Sequence, residues 1–161
     1  MEWSRLVAVG LVVVSALVGV SLPTQQTLVV SETDTGDVVL QAPVDDGTRV
    51  ALAYTHSVEQ TPVVDTYRVR GQRLEMTRMA FESYGWGLPA DANVSREGGQ
   101  FVYDPPGTFE TLTVQPGRIA GHRLTVGDRT VDLVARSDAQ PVRLTVVRRP
   151  LLVAATDSFD P

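Results

Sequence analysis

The chain has 161 residues, no cysteine and a formal charge of −5, and all 14 of its basic residues are arginine. That length favours one domain over an enzyme with separate cofactor and substrate domains. The missing cysteine excludes disulfides, zinc ribbons, thiol catalysis, iron–sulfur clusters and a lipid-modified thiol, and a pI near 4.9 argues against nucleic acid as a partner.

The apolar share of 43% is inflated by residues 6–22, LVAVGLVVVSALVGVSL, which hold no charge and no proline. As a helix they rise about 26 Å, just short of a hydrocarbon core of roughly 30 Å, and extension back to Trp3 sets an indole at the interface. The competing reading is a cleaved signal peptide, but its apolar core is usually shorter and no A-x-A site follows. Arg5 precedes the segment and the next charge is Glu32. The asymmetry predicts residues 1–5 in the cytoplasm, a single-pass anchor over 6–22 and everything beyond it outside the cell membrane. Abundant acid without lysine fits a salt-adapted, high-GC source such as a halophilic archaeon, and codon bias accounts for it equally.

After a polar spacer at 23–27, residues 28–153 read as one β-domain and 154–161 as a tail. Val- and Thr-rich runs at 27–31, 37–42, 48–58, 63–70, 73–82, 100–103, 108–114, 119–126, 129–136 and 142–148 alternate with turn chemistry such as Asp45-Asp46-Gly47, Gly98-Gly99 and Pro116-Gly117. No window past the anchor holds a 3.6-residue period. The expected fold is all-β: a compact antiparallel sandwich or partly closed barrel of about ten short strands, preceded by one transmembrane helix. Leu74 and Met76 are in phase, whereas Met79 and Phe81 are out of step with them, so a β-bulge is expected near Thr77-Arg78. Gly127-Asp128 reads as a two-residue hairpin turn.

Period 2 sets three ionisable side chains on apolar faces: His56, Asp65 and His122. His56 and Asp65 lie on consecutive strands and can meet if those strands pair, since a buried carboxylate must be paired or protonated. Such a pair serves strand register, or binding. A metal set of His56, Glu59, Asp65 and His122 lacks diagnostic spacing, so neither a metal nor a cofactor is expected. Ser57 beside His56 suggests a hydrolase, yet neighbours on a strand point to opposite faces and no G-x-S-x-G elbow is present. Phe81 to Pro89 is the second informative stretch. Its glycines around Trp86 allow positive φ, and the loop either caps one end of the domain or contacts a ligand or partner through Tyr84 and Trp86.

Together, the segment from Tyr54 to Tyr67, with H-S-V-E-Q-T-P at 56–62, and the later Gly85-Trp86-Gly87-Leu88-Pro89 resemble the domain-of-unknown-function family 1850. The resemblance covers residues 54–89. It departs at Asp65, where Glu is usual, and at Trp86, where a smaller residue is usual. It implies a small exported or membrane-anchored protein encoded beside TRAP transporters of the type served by TAXI solute-binding proteins. It adds functional weight to His56, Ser57, Glu59, Thr61, Pro62, Asp65, Gly85, Gly87 and Pro89. The leading expectation is therefore a non-enzymatic extracytoplasmic domain that contacts a TRAP permease or a TAXI solute-binding protein. The alternative is a small-ligand sensor with a pocket between His56/Asp65 and the Gly85–Pro89 loop.

Overall fold

Val- and Thr-rich segments with little helical period leave the backbone one way to satisfy its polar groups, which is to pair with other strands. The computed structural model describes residues 24–83 and 94–150. The expected anchor, the loop Tyr84, Gly85, Trp86, Gly87 and Pro89, and the 154–161 tail lie outside these residues. No helix among the described residues is long and apolar enough to cross a membrane.

Two antiparallel sheets share one core. The smaller has the order β2 (Val38–Val44), β1 (Thr24–Glu32), β12 (Val142–Pro150), β9 (Thr111–Val114). The larger runs β11 (Arg129–Asp132), β10 (Arg123–Val126), β3 (Arg49–Thr55), β4 (Pro62–Arg70), β5 (Arg73–Phe81), β7 (Gln100–Tyr103), β6 (Ser95–Glu97), with β8 (Thr108–Phe109) also on β5. The sheets are not closed, so of the two expected architectures the barrel is set aside. Leu28, Val30 and Leu144 of the small sheet meet Val50, Tyr67, Val69, Leu74 and Leu124 of the large one. Each fully buried aliphatic side chain contributes about 1.5–3 kcal/mol, less the entropy of ordering it.

Two local expectations match the structure. Thr66 pairs with Arg78 but Tyr67 with Met76, which leaves Thr77 as the extra residue of a bulge. Gly127-Asp128 joins β10 to β11, with positive φ at Gly127 (62°) but not at Asp128, the sign pattern of a II′ turn.

Other expectations need correction. Residues 24–27, read as spacer, are strand, because the ladder to β12 pairs Thr24 with Pro150 and outweighs their polar sequence. The 108–114 run divides at Glu110, where the chain leaves β5 of the large sheet for β12 of the small one. The 129–136 run ends as a single helical turn, α1 (Leu133–Arg136), because Asp132 caps it by accepting the Ala135 N–H. Residues 119–122 form a turn before β10, and β3 stops at Thr55, so 56–58 are not strand. The short β6 has no counterpart among the expected runs.

The domain has two distinct ends. Thr24 begins at the end where Gln26 donates to Asp46, Gly71 N donates to the same carboxylate, and Gly127 N donates to Arg49 O. At the other end, Thr33 N donates to Pro141 O, Arg118 pairs with Asp138, and Thr55 N donates to Ala120 O. The length of β1 separates the ends by about 27 Å.

Candidate functional site

The H-S-V-E-Q-T-P motif forms a tight turn at the end remote from Thr24. His56 N donates to Thr61 O (2.8 Å), and Gln60 N donates to His56 O (2.9 Å). Gln60 makes the reversal with φ of 55°. The His56 side chain caps the turn: its Nδ1 accepts the backbone N–H groups of Glu59 (3.2 Å) and Val58 (3.4 Å). Gln60 Nε2 donates to Ser57 O, and Pro62 opens β4. A second layer ties the turn to the end of β5. Ser83 Oγ donates to Glu59 Oε2 (3.4 Å) and lies 3.2 Å from Thr61 Oγ1. Ser83 is the last described residue before the glycine–aromatic loop, and Glu59 and Thr61 bind the turn to it.

This geometry also bears on the hydrolase reading. Adjacent positions on a strand were the sequence argument against it, but 56 and 57 lie in a turn. The hydrogen bonds supply a better one. Nδ1 accepts, so the neutral ring carries its hydrogen on Nε2. A triad histidine needs the opposite tautomer, with Nδ1–H donated to the acid and Nε2 open to the serine.

Asp65 lies elsewhere along the sheet. It is only 7% exposed and stands opposite Leu52 on β3 and Met79 on β5. Four strand positions, or about 13 Å, separate Leu52 from His56. The structure thus gives Asp65 a different partner from the one strand parity suggested: the Tyr54 hydroxyl donates to it. Burial pushes the Asp65 carboxyl from 3.8 up to about 6, against the pull of the Tyr54 hydrogen bond. Burial and then the Asp65 charge raise the Tyr54 phenol well above its ordinary value, and the same two causes raise Tyr67. Asp65 Oδ1 is buried without a hydrogen-bond partner among the described residues.

Tyr54 in turn stacks on His122, with ring centroids 5.0 Å apart and planes 12° from parallel. His122 repeats the role of His56: its Nδ1 accepts the Gly117 N–H (3.1 Å) and so holds the 117–122 turn. Burial lowers the His122 pKa. Two neighbouring turns, each fixed by an imidazole, present the exposed aliphatics Val58 (64%) and Ile119 (84%). Among the described residues no group of three or more His, Asp or Glu side chains is placed to hold a metal ion.

The structure therefore gathers His56, Ser57, Glu59, Thr61 and Pro62 into one turn and sets Asp65 apart with Tyr54. Sequence reasoning missed the role of Tyr54. The usable signal was its phase with Val50 and Leu52, since a tyrosine on a core face needs a partner for its hydroxyl and Asp65 is on the pairing strand.

An open two-sheet antiparallel β-domain with a histidine-capped turn and a buried carboxyl bonded to a half-buried phenol defines the class of protein. A family model, Domain of unknown function (DUF1850), matches residues 50–133, and the chain belongs to that family. The match begins in β3, passes through both motif segments and ends at Leu133. No curated protein and no solved structure matches the chain.

Proposed function

We propose that this protein is a non-enzymatic, membrane-anchored extracytoplasmic domain that serves a TRAP-type transporter and docks the permease or a TAXI solute-binding protein with its membrane-distal end. One observation carries the reading: Val58 and Ile119 stand exposed on turns that two half-buried histidines hold, about 27 Å along β1 from Thr24. An anchor over residues 6–22 feeds into Thr24, so those aliphatics face away from the bilayer, toward a protein and not toward lipid. Rigid, solvent-exposed aliphatics rimmed by Glu59 and Arg118 suit a protein contact with an apolar centre and polar edge. The choice of transporter rests on the family's resemblance alone. The test is co-purification of the tagged full-length chain from its own host. Transporter components are expected with the wild type and not with Val58→Asp/Ile119→Asp. Their absence from the wild type, or equal recovery with the variant, overturns the reading.

A second reading, a small-ligand sensor centred on Asp65, is favoured by the unpartnered Asp65 Oδ1. A thermal-shift screen with dicarboxylates, amino acids and divalent metals tests it. A ligand that stabilises the wild type but not Asp65→Asn supports it, and a flat response removes it.

A further inference from the structure

The outward face of the large sheet holds a concavity of about 480 Å³ that neither the two histidine-held turns nor Asp65 touches. Its floor is made of small side chains, Val64 and Ala80, and its walls include Arg49, Arg68, Arg78 and Gln100. The Thr77 bulge shapes it. The extra residue bends β5 against β4, and Thr77 Oγ1 donates to Thr66 O (3.2 Å), which keeps the bend in place.

The charges around this concavity are unbalanced in a way that a free sheet surface avoids. Arg70 pairs with Glu75, Arg73 with Glu110 and Arg78 with Glu97. Arg49 and Arg68, however, are direct cross-strand partners. Like charges directly opposite on a sheet are unfavourable. Neither takes part in an ion pair among the described residues, and Arg68 donates only to the Gly47 carbonyl (3.0 Å). On its other side Arg68 faces Glu75 of β5, but that carboxylate is taken by Arg70. Two arginines directly opposite each other on one concavity, neither in an ion pair among the described residues, offer N–H groups suited to an oxyanion, which a guanidinium can grip with two of them.

We propose that this concavity binds a small oxyanion, a carboxylate or phosphate group held between Arg49 and Arg68. The site is independent of transporter docking, because its residues lie on a different surface from Val58 and Ile119.

The test uses the full-length chain and measures melting temperature and heat of binding with inorganic phosphate and, separately, succinate, at constant ionic strength maintained with sodium chloride. One of the two anions is expected to stabilise the wild type saturably, and the anion that does so identifies the ligand chemistry. Arg49→Glu places a carboxylate opposite Arg68. It should weaken that binding at least tenfold while melting no lower than the wild type in anion-free buffer. Arg68→Gln, which adds no charge, should weaken binding to a similar extent. A linear, non-saturating response to both anions overturns the proposal, as does binding by either variant as tight as that of the wild type. Loss of the Val58/Ile119 contact would leave these results unchanged, so failure of the docking reading and failure of this one are distinguishable.

Discussion

Replacement of Asp65 by Asn isolates what a buried carboxyl does to this fold. Asp65 is 7% exposed, and its pKa is pushed from 3.8 to about 6, chiefly by burial. The folded value lies above the unfolded one, so the native state holds the proton more tightly. Its contribution to stability is full below about pH 4 and is lost as pH rises through 6, above which the buried carboxylate opposes folding. The gap between 3.8 and about 6 corresponds, at about 1.36 kcal/mol per pH unit, to about 3 kcal/mol. Relaxation around the charge makes this an upper figure. Asn keeps an oxygen for the Tyr54 hydroxyl and never ionises. Its stability relative to wild type should therefore rise by roughly 2–3 kcal/mol between pH 4 and pH 8. Urea unfolding of both proteins across that range measures the difference, and the titration of other groups cancels in it. A difference that does not vary with pH, or one that falls as pH rises, would refute the reasoning.

Three further outcomes follow from single contacts. Tyr54→Phe keeps the ring on His122 but leaves Asp65 without its donor; a loss of about 1–3 kcal/mol in the unfolding free energy from urea titration at pH 8 is expected, with little loss at pH 4. His56→Ala frees the Val58 and Glu59 N–H groups and should cost about 1 kcal/mol, comparable to an N-cap, with faster hydrogen exchange confined to 57–60; His56→Asn, whose short side chain can accept the same bonds, should recover part of it. Gln60→Gly should stabilise the chain by about 0.5–1 kcal/mol, because Gln60 holds φ of 55° where glycine is unstrained; a lower melting temperature would show that the Gln60 contact to Ser57 O outweighs the strain.

Much of the fold was legible in the alternation of side chains, and the parts that were not share a cause. Period 2 exposed the Thr77 bulge because the core-facing phase can change between Met76 and Met79 only if one residue is inserted into the strand. It could not see that 108–114 serves two sheets, since Glu110 changes partners without changing the pattern. Polar strand residues such as Gln25 and Gln26 look like linker until a long ladder to β12 claims their backbone groups. The helical turn at Leu133 is too short to display a period, although Asp132 three residues before Ala135 is a cap signal.

The site shows the same boundary more sharply. Parity assigns a side chain to a face but not to a position along it, so it put His56 and Asp65 on one surface and left open the strand length that separates them. Once β3 ends at Thr55, His56 belongs to a turn, and its ring is committed to the backbone N–H groups of Val58 and Glu59. His122 is committed in the same way to Gly117. The physical consequence of both is order. Fixing one residue's backbone costs about 1–2 kcal/mol, so turns already held at 56–61 and 117–122 would, under the proposed docking, remove several kcal/mol of ordering that flexible loops would add to the cost of binding. A histidine that holds a turn needs no serine beside it. That is why the motif reads as chemistry in the sequence, whereas in this geometry its imidazole holds the turn that carries Val58, as His122 holds the one that carries Ile119.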